Sequence, residues 1–147
     1  MILISHRANT HGPNTAYHGE NHPTSIADLL NKGIHVEIDV WLIDGQYALG
    51  HDKPEYEIDT AFFVDRLWCH AKNLYALHSL MSNDVHCFFH DTDAATITSE
   101  GWIWTYPGQN IISSRAIAVM PERIEGYEIG LAGGVCSDYI NNYMRVE

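Results

Sequence analysis

The sequence has few basic residues: 8 Lys and Arg stand against 19 Asp and Glu in 147 residues, a formal net charge of −11. Binding to nucleic acid or to an anionic membrane surface depends on Lys and Arg, so neither partner is expected. No apolar run reaches the ~20 residues of a membrane helix, so we expect no transmembrane segment. Residues 1–4 are too short for a signal-peptide core, which predicts a cytoplasmic protein.

Cysteine is also scarce. Cys69, Cys87 and Cys136 each lie in an apolar run, and no CxxC pair occurs. The pattern fits neither a disulfide framework nor a zinc knuckle, and it predicts buried free thiols. Histidine, in contrast, is abundant: ten residues, several of them beside strand-like runs. The histidines are therefore the first candidates for functional residues.

The order of apolar runs and breakers predicts a single domain over residues 1–147 with an α/β fold. The pattern gives strands and helices in alternation, with polar residues at the carboxyl ends of most strands. That arrangement is typical of a TIM-type (β/α) barrel, but such barrels usually need about 250 residues. We therefore expect a reduced barrel of about seven to eight mostly parallel strands, with several helices shortened or missing. The predicted strands are 2–5, 33–41, 46–50, 67–72, 85–89, 102–105, 116–120 and 134–137, and the predicted helices are 24–32, 60–66 and 73–82.

The strand within 33–41 carries two acids, Glu37 and Asp39, between apolar residues. Residues i and i+2 of a strand project from the same face, so the two carboxylates point the same way. If that face is buried, a divalent cation would compensate the two charges. The alternative is an amphipathic strand whose acids lie in water.

Five short motifs then follow one another along residues 4–52. They are His6-Arg7, Glu20-Asn21, Glu37-x-Asp39, Asp44-Gly45 and His51-Asp52. Their order and spacing resemble the N-terminal signature of the glycerophosphodiester phosphodiesterases, which belong to the phosphatidylinositol-phospholipase-C-like phosphodiesterases and are TIM barrels. Each dipeptide alone is a weak signal, but five in order are specific. The resemblance covers about the first third of the chain.

The resemblance implies a role for each matching residue. His6 and His51 would be the catalytic acid–base pair, since imidazole titrates near neutral pH. Glu37 and Asp39 would bind a divalent metal cation, with Mg²⁺ or Ca²⁺ favoured by oxygen ligands and Mn²⁺ as the alternative. Arg7 would contact phosphate, because a guanidinium matches phosphate oxygens bidentately.

One position departs from the family pattern. Relatives carry a third acidic ligand in a Glu-x-Lys motif on the next strand, where this chain has His70-x-Lys72. Lys72 is expected to contact phosphate, while His70 is either the third metal ligand or a hydrogen-bonding residue. Four further residues are candidates for phosphate or substrate binding, namely Glu20, Asn21, His90 and Trp104. Glu122 is an additional residue that could reach the metal.

The sequence thus predicts a metal-dependent phosphodiesterase that hydrolyses a small-molecule, glycerophosphodiester-like substrate. One alternative is a lyase-type reaction that forms a cyclic phosphate. Another is a catalytically silent protein that binds a phosphate ligand, and a third is an unrelated zinc hydrolase. An incomplete helical shell would expose apolar strands, which favours a homo-oligomer.

Overall fold

The computed structural model of the protein describes residues 1–144. Within this range the chain forms ten strands and two α-helices, together with three short 3-10 turns. The helices are α1 (Pro23–Asn31) and α2 (Leu74–Ser82). The strands are β1 (Ile2–His6), β2 (His35–Ile43), β3 (Gln46–Leu49), β4 (Tyr56–Ile58), β5 (Leu67–Ala71), β6 (Cys87–Phe88), β7 (Ala95–Ile97), β8 (Ile103–Thr105), β9 (Ala116–Val119) and β10 (Gly134–Ser137).

All ten strands belong to one mixed sheet, which curls into a half barrel. Parallel pairings connect β8, β9, β10, β1, β2, β5 and β6 in that order. The other pairings, β2 with β3, β3 with β4 and β7 with β8, are antiparallel. The strands of the parallel series point the same way, so their carboxyl ends share one edge of the sheet.

The prediction of a reduced TIM-type barrel is therefore wrong. A TIM barrel alternates strands with helices around a mostly parallel sheet, whereas this fold mixes parallel and antiparallel pairs and has only two short helices among its described residues. The physical reason lies in the connections. The segments 106–115 and 120–133 join parallel strands with turns and a single 3-10 turn, because they are too short and too rich in breakers for a packed helix.

Local predictions were more accurate than the architecture. Helix α2 matches its prediction, with Asn73 as the N-cap whose Oδ1 accepts from the Ala76 N–H at 2.9 Å. A tight turn at Asp44-Gly45 joins the predicted strands β2 and β3. The helix predicted over 60–66 is only a 3-10 turn at Thr60–Phe62, and the strand predicted over 85–89 is reduced to β6.

The two faces of β2 have different surroundings. Val36, Ile38 and Val40 are fully buried in a core that includes residues of α1 and α2. Glu37 and Asp39 point to the opposite, inner face of the curled sheet, where Trp68 and His70 of β5 are their register partners. The inner face below them is filled by a second core of aromatic and aliphatic side chains, whose largest members are Trp68, Phe88, Trp104, Ile117 and Met120.

Two compositional predictions can be checked directly. All three cysteines are buried and free, as predicted. Neither helix in the part of the chain that the structure describes has the length and apolarity needed to span a membrane.

Candidate functional site

A buried acid pair lies at the centre of the candidate site. Glu37 is 3% exposed and Asp39 is 0% exposed, so the alternative in which these acids lie in water is wrong. Two adjacent carboxylates in such surroundings need donors or cations, because removing an ionised carboxylate from water is costly. The contacts of each oxygen show how far the protein itself meets that need.

Asp39 is the better compensated acid. Its Oδ2 accepts from Asn21 Nδ2 at 2.9 Å and lies 3.0 Å from Arg7 Nε and 3.4 Å from His51 Nδ1. Its main-chain N–H donates to Asn21 Oδ1. Burial raises the pKa of Asp39, but the contacts with His51 and His70 and the charge of Arg7 outweigh it and hold that pKa well below its ordinary value. Asp39 is therefore ionised at neutral pH.

Glu37 is poorly compensated. Burial and the neighbouring charge of Asp39 raise the pKa of Glu37 well above its ordinary value. Its buried Oε2 has no hydrogen-bond partner within residues 1–144, and the closest basic nitrogen is His6 Nε2 at 3.8 Å. Asp39 Oδ1 is likewise buried without a hydrogen bond from the described residues. Two carboxylate oxygens on adjacent inward positions are thus left without donors.

His70 completes this group. Its Nδ1 lies 3.2 Å from Asp39 Oδ1 and 3.9 Å from Glu37 Oε1, while its Nε2 lies 3.4 Å from the main-chain oxygen of His90. One ligand atom from each of Glu37, Asp39 and His70 can be chosen so that all lie within 4.8 Å of one another. The three residues could therefore hold a metal ion, and the unpartnered carboxylate oxygens are available to ligate it.

His6 ends β1 beside this group, and a second acid fixes its orientation. Its Nδ1 lies 2.7 Å from Asp138 Oδ1. An ionised carboxylate only accepts, so Nδ1 carries the proton and donates it, which leaves Nε2 facing Glu37. Burial raises the pKa of Asp138, but the hydrogen bond and charge of His6 and the amide of Asn9 bring it below its ordinary value. The ring of His6 is thus held in one orientation and one tautomer.

A carboxylate also orients the ring of His51, in this case that of Asp39. His51 follows Gly50, whose φ of +156° and close approach to the Lys53 carbonyl leave no room for a Cβ. His51 Nδ1 faces Asp39, and Arg7 Nη2 donates to His51 Nε2 at 3.3 Å. The His51 side chain is 42% exposed, so it lies at the entrance of the site rather than inside it.

A cavity of about 280 Å³ adjoins both histidines and Glu37. Arg7 and Arg123 line it, and Lys72 Nζ lies 3.8 Å from Asp39 Oδ1. Three of the chain's 8 basic residues thus cluster around one small volume of a strongly acidic protein. The remaining lining residues are His6, Glu37, His51, His70, Phe88, His90, Trp104, Tyr106, Pro107, Val119 and Met120.

The structure distributes the predicted site residues over two layers. His90 and Trp104 line the cavity, although Trp104 is only 2% exposed. Glu20 and Asn21 lie behind it: Glu20 accepts from Arg7 Nη1 at 3.3 Å, and Asn21 binds Asp39. These two residues therefore position other side chains instead of reaching the cavity.

The Oε1 oxygen of Glu122 makes its hydrogen bonds outside the acid pair. Its Oε1 accepts from Ser137 Oγ at 2.9 Å and from the Asp138 N–H at 3.1 Å, so it holds the loop that carries Asp138. Sequence reasoning also missed two contributors, Asn9 and Arg123. Arg123 directly follows the Pro121-Glu122 pair at the end of β9, and this position could have identified it as a candidate site residue.

Left-handed backbone is concentrated at this edge of the sheet. Arg7, Ala8, Asn21 and Met120 have φ values of 54°, 70°, 60° and 47°, although none is glycine. Such conformations cost on the order of 1–3 kcal/mol each, and they persist where the surroundings hold them in place. Here they aim Arg7 at Asp39 and turn the chain after β9 towards Arg123.

Comparison with family models, curated proteins and solved structures finds no match to this chain. The resemblance to the glycerophosphodiester phosphodiesterases therefore stays a prediction from the motifs of residues 4–52. Any functional argument rests on the geometry of the residues themselves.

Proposed function

We propose that the protein is a metal-dependent phosphodiesterase that hydrolyses a glycerophosphodiester-like small molecule. One observation carries the proposal: unpartnered oxygens of Glu37 and Asp39 lie between two histidines, His6 and His51, that are each oriented by a carboxylate. Phosphodiester hydrolysis needs this combination of an electrophile and two proton-transfer groups.

Glu37, Asp39 and His70 would hold the metal ion. When bound, a divalent cation supplies Lewis-acid polarisation of the phosphoryl oxygens. The resemblance implies Mg²⁺ or Ca²⁺ with Mn²⁺ as the alternative, and the nitrogen donor of His70 favours the alternative. A cation would also balance the charge of Glu37, whose carboxylate lacks compensation from the protein.

The basic residues around the cavity favour an anionic substrate. Arg7 and Arg123 line the cavity, and Arg123 makes no ion pair with any described residue. Lys72 Nζ lies 3.8 Å from Asp39 Oδ1, whereas Arg7 Nε lies 3.0 Å from Asp39 Oδ2. A phosphodiester carries a single negative charge, which these side chains can offset as charge shifts onto its oxygens.

His6 and His51 would transfer the protons. One imidazole accepts a proton from the attacking water as the new P–O bond forms, and the other donates a proton to the alkoxide as the original P–O bond breaks. The products are an alcohol and a phosphomonoester. Asp138 and Asp39 keep the two rings in position through each transfer.

The test is cleavage by the purified protein of bis(p-nitrophenyl) phosphate and of glycerophosphodiesters, with Mg²⁺, Ca²⁺ or Mn²⁺ added after chelation. We expect metal-dependent release of product, and phosphorus NMR separates a phosphomonoester from a cyclic phosphate. Absence of cleavage with every cation and substrate, alongside measurable phosphate binding, would overturn the enzyme proposal in favour of a silent binding protein.

A further inference from the structure

We propose that the centre formed by Glu37, Asp39 and His70 selects a transition-metal dication such as Mn²⁺ or Co²⁺ over Mg²⁺ and Ca²⁺. The proposal rests on the metal centre of the proposed function, but it does not depend on phosphodiesterase activity. It is carried by the surroundings of the His70 ring and by the donors that the site offers.

Both ring nitrogens of His70 face oxygen atoms that accept hydrogen bonds. Nε2 lies 3.4 Å from the main-chain oxygen of His90, and Nδ1 lies 3.2 Å from Asp39 Oδ1. A neutral imidazole has one N–H, which can donate from Nδ1 to Asp39 Oδ1 or from Nε2 to the His90 carbonyl. With the proton on Nε2, the Nδ1 lone pair is free to ligate a cation held by the carboxylates, and the carbonyl fixes that tautomer as an outer-shell partner does in known metal sites.

The His70 ring is held in this orientation by packing. It stacks on Phe88 with a centroid separation of 5.2 Å and an interplanar angle of 6°, and its side chain is 13% exposed. The His90 ring also lies beside the His70 ring, with a centroid separation of 5.6 Å. Nδ1 is therefore aimed at the acids before any ion binds, which removes most of the cost of ordering a ligand.

The donor set does not suit Ca²⁺, which takes six to eight oxygen ligands. The described residues offer two carboxylates, and Oδ2 of Asp39 is already in contact with Arg7, Asn21 and His51. Mg²⁺ also prefers oxygen ligands and retains several waters. Imidazole nitrogen suits transition metals, so the nitrogen donor of His70 beside the two carboxylates shifts the preference towards them.

The test is titration of the full, chelator-treated chain with Mg²⁺, Ca²⁺, Mn²⁺ and Co²⁺ by calorimetry. Zn²⁺ is left out because ten histidines invite adventitious binding. We expect Mn²⁺ and Co²⁺ to bind about tenfold or more tightly than Mg²⁺ and Ca²⁺. In His70→Glu this ratio should fall by about tenfold, and the visible absorption of bound Co²⁺ should shift as the nitrogen ligand is lost.

His70→Gln is the second variant, since it adds no third buried charge and so protects the test against misfolding of His70→Glu. It should weaken Mn²⁺ and Co²⁺ without strengthening Ca²⁺. His86→Gln, at the opposite end of the strands, is the matched control and should leave every affinity unchanged. An unchanged Mn²⁺/Ca²⁺ ratio in both His70 variants would overturn the selectivity proposal. Selective Mn²⁺ binding without cleavage of any diester would instead overturn the proposed function alone.

Discussion

Two histidine-containing cavities lie at opposite ends of the parallel strands, and they differ in what their histidines contact. At the carboxyl end, His6 and His51 face carboxylates, as described above. At the amino end, a larger cavity of about 420 Å³ is bordered by His35 and His86. There, His35 Nδ1 accepts from Trp68 Nε1 at 3.0 Å, and His86 Nε2 lies 2.7 Å from a neutral hydroxyl, Thr98 Oγ1.

The comparison separates structural histidines from candidate functional ones. Burial lowers the pKa of His86 to about 4, and burial together with the charge of Arg66 lowers the pKa of His35. Both rings are therefore neutral near pH 7, and each packs near Trp68 with centroid separations of 4.4 and 6.2 Å. Glu37, Arg7 and Arg123 line the smaller cavity, so partner chemistry marks the candidate site better than cavity size does.

The largest expected effect tests this separation through activity. Replacing His6 or His51 with Gln should reduce kcat by about 10²–10⁴-fold, because each change removes one proton-transfer group. His35→Gln and His86→Gln at the amino end should retain kcat within about threefold, since neither residue reaches the cavity at the carboxyl end. Initial rates with a chromogenic diester measure all four variants. Equal losses at both ends would mean that the histidines act only through folding.

A second contrast concerns stability. Asp39 is a buried carboxylate in contact with Arg7, Lys72 and Asn21, so Asp39→Ala removes the buried partner of two partly buried cations, of which Arg7 retains Glu20. Breaking such a buried pair costs about 3–5 kcal/mol, which urea denaturation should show. Glu100, at the amino end, lies 3.6 Å from His86 but its side chain is 60% exposed. Glu100→Ala should change the free energy of unfolding by at most about 0.5 kcal/mol.

The sequence predicted the acid pair because its geometry is local. Two residues of one strand share a face whatever the rest of the fold does, so the shared direction of Glu37 and Asp39 was predictable. The burial of that face depends on the second core of the curled sheet, which the strand alone does not reveal. The contact between His6 and Asp138 spans 132 residues, so no short-range pattern could reveal it.

The prediction of the overall architecture was wrong for a related reason. The strand-like runs were mostly in the right places, but a run does not reveal its partner or direction. The segments at Tyr56–Ile58 and Ala95–Ile97 are short, were not predicted as strands, and pair antiparallel with β3 and β8. Together with the antiparallel pair of β2 and β3, these two strands turn a parallel series into a mixed sheet, while the shared carboxyl edge that builds the candidate site is preserved.

Replacing Glu37 with Gln should have a smaller effect on the free energy of unfolding, and the pKa of Glu37 sets the sign of that effect. Its pKa in the folded protein is raised above the ordinary value of 4.5, so its contribution to stability is fully present below pH 4.5 and is lost as the pH rises through the folded-state pKa. In the presence of chelator, Glu37→Gln should therefore gain stability over the native chain as the pH rises. Denaturation at several pH values measures the difference.

The same variant also tests the metal centre. Added Mn²⁺ should stabilise the native chain and not Glu37→Gln, because ligand binding to the folded state raises its stability by mass action. A structural role for Glu37 alone predicts the reverse: the variant would be less stable than the native chain at every pH, and Mn²⁺ would stabilise neither.

The smallest effect is expected at the amino end, and its pH dependence has the opposite sign. His86 has a folded-state pKa of about 4 against an ordinary value of 6.5, so it favours the folded state above pH 6.5 and loses that contribution as the pH falls to about 4. His86→Gln should match the native chain's pH dependence above pH 6.5 and show a flatter loss of stability between pH 6.5 and 4. Paired urea denaturation curves at pH 7.5, 5.5 and 4.5 would reveal it. Parallel curves for the two proteins across that window would mean that His86 is solvated, and the contrast between the two ends would then rest on the carboxyl end alone.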